Sequence, residues 1–247
     1  MKFEFLGTSD TGGIPLHACS CLICQEARQK GENNRSTCAY LELDDGSVIL
    51  FDAGYDDLMQ RFNTTLIRAV FLTHFHADHC LGLIRLRKSA SNIVCYTPDD
   101  SQGFGDLFVH KDSITYHTLA PFESVLIEGV RITSVPLIHS KPTNGYLIQT
   151  EKSSVAYLTD CGDIDLRTQD FIASCKIEHL FIDACYEPGL VLKKKHCTCE
   201  TAGALIDHMK PKKAYFIHAS CKTLLPLREK KVVLSYPYID KGFSVEL

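Results

Sequence analysis

The sequence predicts a four-layer αββα sandwich, two β-sheets face to face with helices on both outer sides. Three observations carry that reading. The first half alternates strands and helices after opening strands that follow one another directly. The second half is rich in strands with alternating patterns and then returns to helical ones. Helical signals accompany the strands in both halves, so each sheet has apolar helices available to cover its outer face. No flexible linker or low-complexity tract is visible, and the chain reads as a single domain over residues 1–247.

Phe3 to Gly7 reads as the first strand, and Gly12-Gly13-Ile14-Pro15 as the loop leaving it. A Cys19-Ser20-Cys21-Leu22-Ile23-Cys24 stretch then runs into a short helix from Gln25 to Lys30. Strands at Thr37 to Leu43 and Ser47 to Phe51 flank Asp44-Asp45-Gly46, a hairpin turn. Asp52-Ala53-Gly54 opens a polar helix that ends near Phe62. The Ala69 to Leu72 strand, a helix from Cys80 to Lys88, a strand at Ile93 to Tyr96 and a helix closing over Asp106 to Val109 complete this half. Strands follow at Ser124 to Ile127, Val130 to Leu137, Gly145 to Thr150 and Val155 to Thr159, patterned as half-buried antiparallel pairs. Helices at Leu166 to Cys175 and Glu200 to Met209 alternate with apolar strands at Leu180 to Ile182 and Ala214 to Ile217.

Composition narrows the function classes. With 45% apolar and 23% charged residues the chain is of ordinary globular type. It shows neither a basic-then-apolar leader nor the run of about 18 apolar residues that a membrane helix needs, so a soluble, cytoplasmic protein is expected. A net charge of -4 argues against broad nucleic-acid binding, which needs a basic footprint. Twelve cysteines without an export signal point to reduced thiols and metal ligands more than to disulfides. Half of them (Cys38, Cys80, Cys95, Cys161, Cys175, Cys185) lie in or beside apolar runs, as small buried hydrophobes do.

Chemistry concentrates in Thr73-His74-Phe75-His76-Ala77-Asp78-His79, directly after the strand. Three imidazoles and a carboxylate in so short a loop are metal-ligand chemistry. Imidazole suits borderline ions and carboxylate oxygen suits harder ones, so the mixture indicates a borderline divalent cation. Further donors end apolar strands in the second half: His139, Asp160 and His218. A pair of ions about 3.5–4 Å apart can generate a nucleophile and clamp a phosphoryl group.

The His74-x-His76-x-Asp78-His79 pattern resembles the signature of the metallo-beta-lactamase superfamily. That resemblance implies the sandwich fold with two metals between the sheets. It places His74, His76 and His139 on one ion, Asp78, His79 and His218 on the other, and Asp160 between them. Asp52 resembles a carboxylate that orients a ligand imidazole, and reads equally well as a helix N-cap.

Cys19-x-Cys21-x-x-Cys24, His139-Ser140-Lys141 with Gly145-Tyr146-Leu147, and His196-Cys197 together resemble the PhnP-like cyclic phosphodiesterases of the carbon-phosphorus lyase pathway. The family implies hydrolysis of 5-phospho-α-D-ribosyl 1,2-cyclic phosphate to ribose 1,5-bisphosphate. It also implies Mn²⁺ at the active site, with Zn²⁺ as the alternative, a separate structural Zn²⁺ and a homodimer. His196 then acts on the substrate phosphate and the leaving oxygen, and Asp78 joins it in the catalytic set. Lys141 and the Lys193 to Lys195 run draw the anionic sugar phosphate in. The structural zinc falls to Cys19, Cys21, Cys24 and Cys221, where the family has a histidine at the last position. The alternatives are another hydrolase of the superfamily (cyclic-nucleotide phosphodiesterase, tRNA-maturing nuclease or thioesterase) and a binding protein that keeps the fold.

Overall fold

A computed structural model describes residues 1–55, 57–187, 189–190, 195–230 and 232–247. Strand β1 (Lys2–Gly7) pairs antiparallel with β2 (Cys38–Glu42), and β2 pairs with β3 (Val48–Phe51) through the expected hairpin. Between β1 and β2 lies α1 (Leu22–Lys30), ended by Gly31 in the left-handed region. From β3 onward the chain crosses over through helices, and β4 (Ile67–Phe71), β5 (Ile93–Thr97) and β6 (Ile114–Thr118) add in parallel.

The second sheet opens with β7 (Ser124–Ile127), β8 (Val130–Leu137), β9 (Thr143–Gln149) and β10 (Ser154–Leu158), each antiparallel to its neighbour as the patterns indicate. Two helical crossovers, through α6 (Leu166–Ser174) and α7 (Cys199–Met209), then add β11 (His179–Asp183) and β12 (Lys213–Ile217) in parallel. A last helix, α8 (Cys221–Glu229), and a short strand, β13 (Ser244–Glu246), return the chain to β1. Among the described residues the sheets have seven and six strands, ordered β13-β1-β2-β3-β4-β5-β6 and β12-β11-β10-β9-β8-β7.

Three apolar layers hold this stack together. Phe3, Phe5, Phe51, Phe71, Tyr146, Tyr157 and Phe181 pack between the sheets. Leu50, Val70, Leu83 and Leu107 pack one sheet against its helices, and Ala156, Leu158, Ile182, Ile206 and Met209 do so on the other side. Successive strand residues face opposite layers: Val155 and Tyr157 point inward while Ala156 and Leu158 point outward. Both faces of β10 are therefore apolar, and it is buried throughout, where half-burial was expected.

Several local expectations are corrected. The helix expected over Cys80 to Lys88 is two short pieces, α3 (Ala77–Cys80) and α4 (Leu83–Leu86). Gly82 lies between them because a Cβ there would sit 2.6 Å from the Ala53 carbonyl oxygen and 2.4 Å from that of Tyr55. The helix expected from Asp52 shrinks to α2 (Leu58–Arg61), since residues 52 to 54 are drawn under α3. Another short helix, α5 (Gly105–Val109), lies where a helix was expected. No described helix is long and apolar enough to cross a membrane.

Candidate metal centre

The polar residues that end apolar strands converge at one edge of the sandwich. Asp52 follows β3, the His74 to His79 loop follows β4, His139 follows β8, Asp160 follows β10, Asp183 closes β11 and His218 follows β12. Carboxyl ends of parallel strands are where open α/β sheets leave a crevice for ligands. Asp52 (φ 62°) and His218 (φ 68°) adopt left-handed backbone conformations that non-glycine residues rarely occupy. Strain of that kind gathers at functional sites, where the surroundings force a side chain into place.

Four donors from both sheets form the first cluster: His74, His76, His139 and Asp160, with ligand atoms all within 4.8 Å of one another. His74 Nε2 lies 2.8 Å from His76 Nδ1, and His139 Nε2 lies 3.2 Å from that same atom. Asp160 Oδ2 is 3.7 Å from both His74 Nε2 and His139 Nε2. The second cluster is Asp78, His79 and His218. Here Asp160 Oδ1 lies 3.2 Å from His79 Nε2 and 3.0 Å from His218 Nε2, and Asp78 Oδ2 lies 3.6 Å from His79 Nε2. One oxygen of Asp160 thus faces each cluster.

Four of the five imidazoles have a partner for the opposite ring nitrogen, whereas His218 Nδ1 is buried without a hydrogen-bond partner. A carboxylate only accepts, so His79 Nδ1–H donates to Asp52 Oδ2 at 2.9 Å. Thr73 Oγ1–H donates to Asp52 Oδ1 at 2.8 Å, which leaves its oxygen to accept from His74 Nδ1–H at 3.0 Å. His139 Nδ1–H donates to the Lys195 carbonyl, and Ser140 Oγ stands 3.4 Å from His76 Nε2. Tying the outer nitrogen fixes tautomer and ring orientation, as imidazole ligands require. Asp52, further held by the Tyr157 hydroxyl at 3.0 Å, takes the orienting role and caps no helix.

These donors fit divalent cations. With its Nδ1 proton engaged, His74 presents its Nε2 lone pair to the cluster, 2.8 Å from His76 Nδ1. His79 Nε2 and His218 Nε2 are buried without a hydrogen-bond partner. Burial holds His74 well below the usual imidazole range and lowers His76 and His139, keeping them neutral and able to ligate. At Asp160 burial is outweighed by His218 and His79, so its carboxyl is held well below the ordinary range and stays ionised.

Above the two clusters sits His196, stacked on His218 (ring centroids 5.1 Å, 13° between planes) and edge-on to His139 at 5.0 Å. Its Nδ1–H donates to Asp183 Oδ2 at 2.7 Å. Burial pulls its pKa down, but Asp183 prevails and raises it to about 9. Asp183 was missed from sequence, although Leu180-Phe181-Ile182-Asp183 shows the same apolar-strand-then-acid pattern as Asp160. Fully buried, it also accepts the Cys161 and Cys185 amides at 2.9 and 2.8 Å, which hold its carboxylate still.

Away from this edge, the sulfurs of Cys19, Cys21, Cys24 and Cys221 lie within 4.8 Å of one another, joining α1 to α8. Four thiols at that spacing match a closed tetrahedral zinc set. The Leu16 amide donates to Cys24 Sγ at 3.3 Å, and hydrogen bonds from Cys21 help lower the Cys19 thiol to about 7.

Lys141 is placed otherwise than expected. Its Nζ donates to Asp100 Oδ2 at 3.0 Å and contacts the Gly103 carbonyl at 3.4 Å, so its charge is already committed to a buried carboxylate. Lys193 and Lys194 lie outside the described residues. His179 is buried at the start of β11 and stacked near Tyr215.

An αββα sandwich with two His/Asp clusters sharing one carboxylate at its strand ends defines a metal-dependent hydrolase fold. The family profile of the beta-lactamase superfamily domain matches residues 48–219, and the chain belongs to that superfamily. It is 24% identical to an octanoyltransferase of Porphyromonas gingivalis over 99% of this chain and 50% of that protein. A ribonuclease Z of Chlamydia muridarum is 29% identical over 60% of this chain and 52% of its own length. The chain thus spans about half the length of the curated relatives it matches. Among solved structures, a diphosphatase of the PhnP family superposes with a TM-score of 0.82 at 22% identity, over 100% of this chain and 97% of that one.

Proposed function

We propose that this protein is a metal-dependent phosphodiesterase acting on a small cyclic phosphate of ribose. The substrate on this reading is 5-phospho-α-D-ribosyl 1,2-cyclic phosphate, opened to ribose 1,5-bisphosphate in phosphonate breakdown. The observation that carries it is the His196–Asp183 pair poised over two donor clusters that share Asp160. Its narrower substrate rests on the PhnP-like pattern of His139-Ser140-Lys141, His196-Cys197 and the cysteine cluster.

His74, His76 and His139 would hold one divalent ion, Asp78, His79 and His218 the other, with Asp160 between, and Mn²⁺ is the ion we assign. Bound there, the ions supply Lewis-acid polarisation of the phosphoryl oxygens and an acidified water. Everything else falls to the chain. Asp52 and Thr73 keep His79 and His74 in register, and Asp160 keeps the two halves of the site at fixed spacing. Asp78 borders a cleft of about 390 Å³ walled by Gly12, Gly13, Arg35 and Gly54, open enough to admit part of a substrate. His196 Nδ1–H is anchored on Asp183, which leaves the Nε2 proton for the departing ribose oxygen. A charged imidazole also steadies the phosphate before that transfer. The cysteine cluster would hold a structural Zn²⁺, and the family resemblance implies a homodimer.

A second reading has a specific observation behind it. The PhnP-family structure that covers nearly the whole of both chains is described as a diphosphatase, so a phosphoanhydride is the competing substrate. The deciding assay gives the Mn²⁺-loaded protein the ribosyl cyclic phosphate beside 2',3'-cyclic nucleotides, a diphosphate ester, a precursor tRNA and a thioester. Our reading expects kcat/KM on the ribosyl cyclic phosphate to exceed the others by at least tenfold. A preference for any other substrate class overturns it.

A further inference from the structure

The loop that carries His139 does more than present one ligand. Ser140 stands 3.4 Å from His76 Nε2, the nitrogen that points away from the metal cluster. Lys141 then reaches across the gap between the sheets to the loop after β5, a strand of the other sheet. That loop is built to receive it. Asp100 takes the Gln102 and Gly103 amides on Oδ1, both at 3.0 Å, and turns Oδ2 to the Lys141 ammonium at 3.0 Å. The Gly103 carbonyl supplies a further contact at 3.4 Å, and the Lys141 carbonyl is tied back by the Thr143 hydroxyl at 2.9 Å. Side-chain exposure is 25% for Lys141 and 6% for Asp100, so the pair is largely withdrawn from solvent.

We propose that Lys141 is a positioning residue: its ion pair with Asp100 is a strut between the two sheets that holds His139 and Ser140 against His76. The inference rests on the reading of His74, His76, His139 and Asp160 as a metal site. It reverses the role expected of Lys141 as an anion binder. An ammonium seated on a buried carboxylate has little net charge to offer a sugar phosphate, and leaving would strand Asp100 without a counter-ion. The first cluster takes His74 and His76 from one sheet and His139 and Asp160 from the other, so its dimensions depend on how those sheets are braced at this edge. Among the described residues, Lys141–Asp100 is the ion pair that crosses the gap directly beside the cluster.

The test compares Lys141→Met, Asp100→Asn and the charge-exchanged pair Lys141→Asp with Asp100→Lys. Titration of Mn²⁺ into metal-stripped protein is followed by calorimetry, with kcat and KM measured at saturating Mn²⁺. Both single variants should weaken one of the two active-site affinities about 10- to 100-fold, the range seen when outer-shell partners of a metal site are removed. KM at saturating metal should stay within about twofold of wild type, and the exchanged pair should recover part of the lost affinity. A substrate-binding lysine gives the opposite signature: Lys141→Met raises KM, whereas Asp100→Asn frees the ammonium and leaves KM unchanged or lower. That divergence overturns the strut. If wild type itself binds no Mn²⁺, the metal reading fails separately. The strut is still decided by denaturant unfolding of the stripped proteins, including Lys141→Met with Asp100→Asn. Effects smaller together than their sum support it, and strictly additive effects overturn it.

Discussion

Asp183 shows how much of the site hangs on single side chains. It touches neither donor cluster as a named ligand, yet it fixes the tautomer of His196 through a 2.7 Å hydrogen bond from Nδ1–H. Asp183→Asn replaces one acceptor oxygen with a donor nitrogen, so the ring can turn or change tautomer. On the proposed substrate kcat should fall about 10²- to 10⁴-fold, the range for loss of a positioned general acid. His196→Ala should match that loss where the leaving group is an alkoxide and lose much less with p-nitrophenolate, which needs little protonation. Equal losses on both substrates would leave His196 a phosphate binder only. The two donor clusters were legible because His139, Asp160 and His218 each follow an apolar strand, and the His74 to His79 loop adds a specific spacing. Asp183 obeys the same rule and escaped because no family pattern pointed to it. The Lys141 ion pair escaped for a different reason: sequence shows a charge but not the Asp100 that meets it from 41 residues away.

Elements carry the next level of constraint, and here close approach matters most. A Cβ on Gly54 would lie 1.7 Å from the Asp78 carbonyl oxygen, so the turn after β3 and the start of α3 touch backbone to backbone. Gly54→Ala must push α3 away and with it Asp78 and His79. The expected result is loss of one Mn²⁺ per chain and a lower melting temperature, with the cysteine cluster's zinc retained. On the opposite flank, Cys221→Ser removes the thiol that α8 contributes to the cysteine cluster, while apolar packing and the bidentate Arg228–Glu26 pair at 2.8 and 2.9 Å still join α8 to α1. Zinc content measured by mass spectrometry should drop from one equivalent toward zero, and an unchanged equivalent would refute the assignment. Neither α8 nor β13 was legible. Pro226 inside α8 masks its helical period, and three residues of β13 carry too little pattern to announce a pairing with β1. β6, mostly exposed and rich in polar residues, lacked the apolar alternation that marks a strand.

At the scale of the whole molecule, the sandwich itself was readable because strand periods and helical periods alternate in an order that closes in only a few ways. Its stability toward acid follows from carboxylates held below their ordinary range. The Ser47 hydroxyl and amide, with Arg68, hold Asp45 at about 2, and the Thr168 amide lowers Asp165. Burial opposes the shift at Asp100, yet the Gly103 amide and Lys141 prevail and lower it too. A carboxyl with a depressed folded pKa contributes stability that is complete above its unfolded value of about 4 and is lost as pH falls through the folded value. His74, His76 and His139, held neutral by burial, already cost stability below their unfolded value of about 6.5, so denaturant midpoints should begin to fall there and decline further from pH 4 toward pH 2. A midpoint that stays level to pH 3 would show that these contacts do not matter in solution.

The two donor clusters make the sheets interdependent. One sheet brings His74, His76, Asp78 and His79 and the other brings His139, Asp160 and His218, so each cluster draws its donors from both. Divalent ions on these donors would therefore act as a clasp at one edge of the sandwich, beside the Tyr157–Asp52 and Lys141–Asp100 contacts that also cross it. Any ligand that binds only the folded state stabilises it by RT ln(1 + [L]/Kd), about 2.7 kcal/mol at a hundredfold excess over Kd. For a chain of this size each kcal/mol shifts the melting temperature by about 2–4 °C, so a chelator should lower it by roughly 5–10 °C. Mn²⁺ should restore the loss in wild type and much less in Asp160→Asn, whose side chain brings no charge to either cluster. If Asp160→Asn regains the full shift, the bridging carboxylate is not what joins the two halves, and His139 and His218 carry the link between the sheets.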